Sequence, residues 1–376
     1  MGRDTIGMMI KKRILIAAQN AGGFNSLAPV IKALKKRKKY EVKLILAGAS
    51  KKSVKQYGWN YVDGEKFNIN KLRKLVAQFK PQCIATGTSG GMSVEKKIIK
   101  IAHEYNIPSA AVLDFWINYN IRFSFDNSKK LHPEALPDHI LIMDNHAKRE
   151  MINEGFPSEI LAITGNPHFD TMKPIKQENK KTKTILFIDQ PISESIKAGW
   201  HENYGYTELT AFSDIVHALR KIGFKDELIA ALHPRTEGKE KYEAIIKKYP
   251  EFKLQFSQGV RRNEKALRKA HLVVGMTSIM LLEAALRGRL ALSYQPKLKK
   301  TDPLKSNALG LTAYVYKKEK LAAKIKKLLL QKKPESKNQR IIDKYTKANA
   351  TKNVVQFIEK MVRVYAIIGL LTRLEL

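Results

Sequence analysis

Short apolar runs alternate with longer amphipathic stretches along most of this chain. Residues 13–18, 42–47, 81–86, 109–113 and 137–143 are almost continuously apolar and bounded by turn residues such as Gly, Pro and Asp. Such runs predict strands buried on both faces. Residues 27–34, 71–79, 94–105 and 148–155 carry apolar positions at helical spacing. After a polar, lysine-rich stretch at 171–184 the pattern resumes, with strands at 185–188, Glu227–Leu232 and 252–256 and helices at 209–222 and 263–269. It is clearest at V-V-G-M-T-S-I-M-L-L-E-A-A-L-R-G-R-L-A-L-S-Y-Q-P, residues 273–296. There an apolar run at 270–274, broken only by His271, reads as a strand, and Gly275 and Met276 make the turn. Thr277 or Ser278 caps a helix carrying Met280, Leu281, Ala284, Ala285 and Leu286, which Gly288 ends. Leu290–Tyr294 is the next strand.

Strand, short turn, helix, strand is the βαβ unit of a parallel sheet. The whole chain therefore predicts an α/β protein with two Rossmann-like, doubly wound parallel-sheet domains facing a cleft. Residues 1–170 form the first domain and 171–184 the linker. Residues 185–345 form the second domain, and 346–376 a C-terminal helix and tail that either cross back to the first or rest on a membrane surface. Helical patterns at Lys318–Leu330 and 335–361 complete it.

Composition narrows the class. With 376 residues, 44% hydrophobic and 28% charged, the chain can bury two cores. One cysteine, Cys83, excludes a disulfide framework and a multi-cysteine metal site and suits a reducing cytoplasm. No secretory signal is evident, and no apolar run approaches the length that spans a bilayer. The 69 Lys and Arg against 35 Asp and Glu leave a net charge of +34. An anionic substrate, an anionic membrane face or nucleic acid would match it; solvated lysine-rich faces are the plain alternative. Nucleic acid is the weakest partner, because neither a zinc pattern nor an aromatic-interleaved motif accompanies the charge.

Candidate chemistry falls at the carboxyl ends of the strands, where ligands of such sheets bind. The helix start at Thr277–Ser278 offers unpaired N–H groups and two hydroxyls to a phosphate, and Gly275 lets the backbone turn there. Glu283, about one and a half turns on, could accept from the hydroxyls of a ribose. A plain helix cap with a solvated glutamate is the other reading. His233 and Arg235, in H-P-R at the end of a strand, could neutralise a diphosphate. In the first half, Gly22 and Gly23 follow a strand in Q-N-A-G-G-F-N-S, and Thr88 and Ser89 follow another in G-T-S-G-G. A simple tight turn explains the glycines equally. Asp114, Trp116 and Arg122 lie in the aromatic-rich D-F-W-I-N-Y-N-I-R-F-S-F, which reads as a sugar or acceptor platform or as a loop packed over the core. No metal cluster is evident.

The wording T-S-x-x-x-x-E-A-A between two apolar strands resembles the nucleotide-sugar site of the two-Rossmann glycosyltransferases, the GT-B fold. It is similar to the same segment of the UDP-N-acetylglucosamine 2-epimerases, which share that fold. L-A-P-V-I-K-A-L at 27–34, T-G-N-P-x-x-D at 164–170 and the His-Pro at His233 resemble those families too. The resemblance spans residues 13–296. It implies that the hydroxyl turn holds a diphosphate, Glu283 a ribose and His233 a phosphate. It also implies that the glycine loop faces the cleft and that Asp114, matching an acidic residue of the epimerases by position, is a general base.

The departures steer the expected reaction. The epimerases carry G-D-T where this chain has Gly87, Thr88 and Ser89, H-x-E-A-G-L-R where it has 112–121, and D-S-G-G where it has 276–279. With most of that acid–base set absent, the expectation is a glycosyltransferase. It would need neither metal nor cofactor and would take a nucleotide-diphosphate sugar as donor. Its acceptor would be an anionic or lipid-linked cell-surface intermediate, and it would be a cytoplasmic protein, peripheral on the inner membrane face. An epimerase or hydrolase on the same donor is the alternative, and a non-catalytic basic protein binding membrane or nucleic acid the second.

Overall fold

A computed structural model describes residues 11–126, 130–175, 182–197, 203–233, 236, 238–299, 301–331 and 334–374. The chain divides into two compact units, Met1–Thr171 with Tyr345–Leu376, and Met172–Lys344.

Unit 1 is built on seven strands: β1 Lys12–Ala18, β2 Tyr40–Leu46, β3 Val62–Asp63, β4 Cys83–Thr86, β5 Ser109–Val112, β6 His139–Ile142 and β7 Leu161–Ile163. They form one sheet in the order β3-β2-β1-β4-β5-β6-β7, parallel throughout. The order reverses between β1 and β4, which marks the switch point where ligands of such sheets bind. Both faces are covered. Ile14, Ile16, Leu27 and Ile31 pack on one side, and Leu15, Ile84, Ile98 and Ile101 on the other, all fully buried. This is why these strands read as continuous apolar runs rather than alternating ones.

Unit 2 repeats the plan with β8 Thr184–Ile188, β9 Glu227–Leu232, β10 Leu254–Gln258, β11 Leu272–Gly275, β12 Leu290–Tyr294 and β13 Ala313–Val315. Its order is β10-β9-β8-β11-β12-β13, again parallel, with the reversal between β8 and β11. Phe187, Phe212, Leu228 and Leu292 lie in one buried cluster.

Three local features differ from the sequence expectation. The first helix begins at Ala21, directly after the β1 end, so Gly22 and Gly23 lie in its first turn rather than in a loop. The strands β3 and β13 are two and three residues long, too short to carry a readable period. The C-terminal helical stretch breaks where Asn349 adopts a left-handed φ of 54°. It then continues as the helix Ala350–Leu374, beyond the expected end at 361. Asp170 caps that helix, its carboxylate accepting from the N–H groups of Ala350 (3.2 Å) and Thr351 (2.6 Å). Val354, Val355 and Ile358 then bury against the same core as Leu27 and Ile31. Among the described residues no helix is long and apolar enough to cross a membrane.

Candidate functional site

In unit 2 the sequence-predicted groups gather at the carboxyl ends of β8, β9 and β11. Gly275 ends β11 close to β8: a Cβ there would sit 3.2 Å from Ile188 Cβ and 3.3 Å from its carbonyl oxygen. Gln190, just past β8, then spans the switch point. Its Oε1 accepts from the Thr277 N–H (2.8 Å), and its Nε2 donates to Thr277 Oγ1 (3.0 Å). Ser278 is the N-cap of the helix Ile279–Leu286, its Oγ accepting from the Met280 N–H at 3.3 Å, while Leu281 N–H donates to the Ser278 carbonyl. Both hydroxyls are thus used as acceptors. A hydroxyl carries one donor hydrogen, so acceptor-loaded hydroxyls turn that hydrogen outward, and the helix dipole adds positive potential at the same place. The pair is suited to an anion. Glu283 is half-buried on the same helix, five residues past the cap, which is about 7.5 Å along the axis.

His233 stands at the β9 end, its N–H held by Asp189 Oδ2 at 3.1 Å. Asp189 is buried at the end of β8 and also accepts from the hydroxyls of Thr236 and Tyr242. Burial, with Asp189 beside it, pushes the Tyr242 phenol well above its ordinary range, so it stays a donor. These bonds fix the turn that presents His233. Arg235 lies outside the described residues.

In unit 1 the polar groups converge at the ends of β1, β4 and β5. Asp114 follows β5 and forms an ion pair with Arg122 Nη1, which also donates to Thr88 Oγ1 at 2.8 Å; Thr88 Oγ1 lies 3.3 Å from Asp114 Oδ1. Gly22 faces this cluster so closely that a Cβ would lie 2.1 Å from Asp114 Oδ2, and a Cβ on Gly23 would lie 3.2 Å from both Gly87 Cα and the Thr88 nitrogen. Asn166 Nδ2 donates to the Asp114 carbonyl at 3.0 Å, which gives the T-G-N-P motif a job on this side of the sheet.

Two expected roles change here. Trp116 is fully buried, its indole N–H donating to Asp144 Oδ2 (3.0 Å) and its ring stacked on Phe169 and set edge-on to Tyr345. It is a core residue and presents no face to a sugar; Asp144 supplies the partner that a buried indole needs. Ser89 is also buried, and its hydroxyl donates to Glu95 Oε1 at 2.8 Å. The same oxygen accepts from the Gln19 N–H at 2.8 Å, and burial raises the Glu95 carboxyl above the ordinary range.

The sequence reading missed Asp189, Gln190, Glu95 and Lys96. Asp189 and Gln190 had a signal, since they are the polar pair that ends I-L-F-I-D-Q-P at a strand terminus. Glu95 and Lys96 sit one after the other in an amphipathic helix and read there as solvated charges. Among the described residues no group of three His, Cys, Asp or Glu is placed to hold a metal ion.

Comparison with known proteins bears on the fold and the family. No curated protein matches the sequence. Among solved structures, the UDP-GlcNAc 2-epimerase of Neisseria meningitidis bound to UDP-GlcNAc has a TM-score of 0.67 at 16% identity, covering 93% of this chain and 100% of that one. The UDP-GlcNAc 2-epimerase of Methanocaldococcus jannaschii also has a TM-score of 0.67, at 14% identity, covering 93% and 99%. MurG of Acinetobacter baumannii has 0.57 at 16% identity, covering 93% and 99%. These likenesses establish the fold, two parallel-sheet α/β domains of the GT-B kind. The family described as UDP-N-acetylglucosamine 2-epimerase matches residues 133–359, well over half of the chain and including both the His-Pro turn and the Thr277–Glu283 helix. The chain belongs to the UDP-N-acetylglucosamine 2-epimerase family.

Proposed function

We propose that this protein binds a uridine-diphosphate 2-acetamido sugar and inverts it at carbon 2, in place of the transfer to an acceptor that the motif departures suggested. The family match, which runs through the phosphate-side elements of unit 2, carries this reading. The Neisseria relative is described as bound to UDP-GlcNAc, which names the donor to try first.

Inversion at carbon 2 requires that its hydrogen leave as a proton, and no carbonyl adjoins that carbon to hold the electron pair. The pair must instead form a C1=C2 double bond as the C1–O bond to the diphosphate breaks. Return of the diphosphate oxygen to C1 and of a proton to C2 on the opposite face completes the change and conserves every atom. Such chemistry needs a base and a stabilised diphosphate leaving group together. In this reading Asp114 is the base, held in place by Arg122 and Thr88. The Thr277 and Ser278 hydroxyls, the helix start and His233 stabilise the departing diphosphate, and Glu283 accepts from the ribose.

Glycosyl transfer is the second reading. One observation favours it: Asp114 is the carboxylate of the predicted set in unit 1, which suffices for activating an acceptor hydroxyl. Incubation with UDP-GlcNAc alone, followed by chromatographic separation of the C2 epimers, tells the two apart. An epimer formed without acceptor supports the proposal. Intact donor that is consumed only when a glycan or lipid-linked acceptor is added would replace it with transfer.

A further inference from the structure

Lys96 is 1% exposed and among the largest fully buried side chains of the protein. Taking an ammonium out of water costs several kcal/mol unless its three donors are all met. Here they are met by three backbone carbonyls, Gly91 (2.6 Å), Ile121 (3.3 Å) and Ser124. Gly91 belongs to the segment after β4. Ile121 and Ser124 belong to the segment after β5, and they bracket Arg122 on its two sides.

That second segment has little to hold itself. Its helical piece, Tyr119–Arg122, is a single turn entered through Asn118 at a left-handed φ of 58°. A turn of that length is not stable alone. Yet it must aim Arg122, whose Nη1 reaches both Asp114 and Thr88 Oγ1 and whose Nε donates to the Ile117 carbonyl at 3.1 Å. An apolar residue at position 96 would take away the donor of the Gly91 and Ser124 carbonyls and leave the Ile121 carbonyl only the 3.4 Å bond from the Ser124 hydroxyl. The lysine amine therefore does what the backbone of the turn cannot.

We infer that Lys96 is a positioning residue, which sets Arg122 against Asp114 by clamping the turn Tyr119–Arg122 and Ser124 to the segment after β4. The inference rests on the proposed role of Asp114 only for its catalytic consequence. The clamp itself is independent of the reaction.

The clamp depends on charge. Burial pulls the Lys96 ammonium down to about 8. Glu95, on the same helix, and Asp126, on the segment past the turn, oppose that fall, while Arg122 adds to it. Above that pH the neutral amine has two donors for three carbonyls. The turn loosens as the pH rises.

Hydrogen exchange of the backbone amides, followed by mass spectrometry on the full-length protein, tests the clamp without any assumption about activity. In wild type, peptides covering 117–124 should stay protected at pH 7 and lose protection, after correction for the intrinsic rate, between pH 7 and 9. In Lys96→Met the same peptides should exchange about tenfold faster at pH 7, with no further step on raising the pH. Lys96→Arg, which stays charged and is the safer variant for folding, should show no step either. Wild-type protection in Lys96→Met, or an undiminished step in Lys96→Arg, overturns the inference. Kinetics then give the consequence: in Lys96→Met, kcat for UDP-GlcNAc should fall about 100-fold with KM nearly unchanged, because a displacement of the order of 1 Å costs about that much. An unchanged kcat overturns the positioning role. If wild type turns over no UDP-GlcNAc, the functional reading falls, while the exchange data still decide the clamp.

Discussion

Gln190 and Thr277 are joined twice, the amide of one accepting from the N–H and donating to the hydroxyl of the other, at 2.8 and 3.0 Å. This pair closes the gap between the ends of β8 and β11 at the point where the strand order of unit 2 reverses. It also decides which hydrogen Thr277 has left to give. A residue outside every recognisable motif thereby sets the donor geometry of the motif beside it.

Replacing Gln190 by Ala removes both bonds. The unmet Thr277 N–H should cost about 1–3 kcal/mol of stability. Affinity for UDP should fall roughly tenfold, as the hydroxyl loses its fixed orientation. Titration calorimetry with UDP, alongside thermal unfolding, measures both. A loss of stability with unchanged UDP affinity would make the pair purely structural.

Glu283 is assigned to the ribose, and the assignment can be isolated by changing the ligand as well as the protein. Wild type should prefer UDP over 2′,3′-dideoxy-UDP by about tenfold or more, the worth of hydrogen bonds to a charged acceptor. Glu283→Ala should abolish that preference while leaving the dideoxy affinity almost unchanged. A preference that survives in the variant places the ribose elsewhere.

Gly22 faces Asp114 with no room for a methyl group, since its Cβ would lie 2.1 Å from Asp114 Oδ2. Gly22 sits in a helix, where alanine is otherwise favoured. Gly22→Ala should therefore fold normally yet displace the Asp114 carboxylate, lowering kcat about 100-fold. Circular dichroism and turnover measured on the same preparation check it. Full activity in the variant would show that Asp114 need not be where it stands.

Of the two readings of its loop, a binding platform or a segment packed over the core, Trp116 follows the second. Trp116→Phe removes the indole donor from the buried carboxylate of Asp144, which keeps the Tyr345 hydroxyl (2.6 Å) and the Ala147 N–H (2.8 Å). Stability should drop by about 1–3 kcal/mol, a few degrees in Tm. UDP-GlcNAc affinity should not change. A weaker affinity at unaltered Tm would return Trp116 to the ligand.

The C-terminal helix carries a pH-dependent tie. Glu359 forms ion pairs with Arg37 and Lys39 and accepts from the Tyr40 hydroxyl (2.8 Å). Against the opposing effect of partial burial, these partners hold its carboxyl down to about 2. A carboxyl depressed in the folded state contributes stability that is present above the ordinary value near 4.5 and lost as the pH falls toward 2. The Tm of wild type should fall more steeply than that of Glu359→Gln between pH 4.5 and 2, and the two curves should run parallel above pH 5. Parallel curves throughout would remove the tie.

The fold was legible because both sheets are parallel and covered on both faces, so their strands stand out as apolar runs such as Ile14–Ala18 with helical periods between them. What escaped were β3 and β13, with too few residues to show a pattern, and the start of the first helix, hidden by two glycines kept for close approach. At the site, the motif residues Thr277, Ser278, Glu283 and His233 could be named because strand ends and helix starts are visible in sequence. Gln190, Asp189, Glu95 and Lys96 could not be assigned. Their work lies in partners far away along the chain: 87 residues for Gln190 to Thr277, 76 for Glu95 to Gln19. A buried lysine and a solvated one read alike until the carbonyls around it are known.

The proposed reaction is tested most directly by incubating the protein with UDP-GlcNAc in D₂O and following carbon 2 by proton NMR. Epimerisation through loss of the C2 proton predicts that the C2 epimer appears and that deuterium enters at C2. Asp114→Asn should suppress both. A UDP-GlcNAc pool that keeps its C2 proton indefinitely, with the nucleotide demonstrably bound, would contradict the account and leave these residues to a different reaction of the same donor.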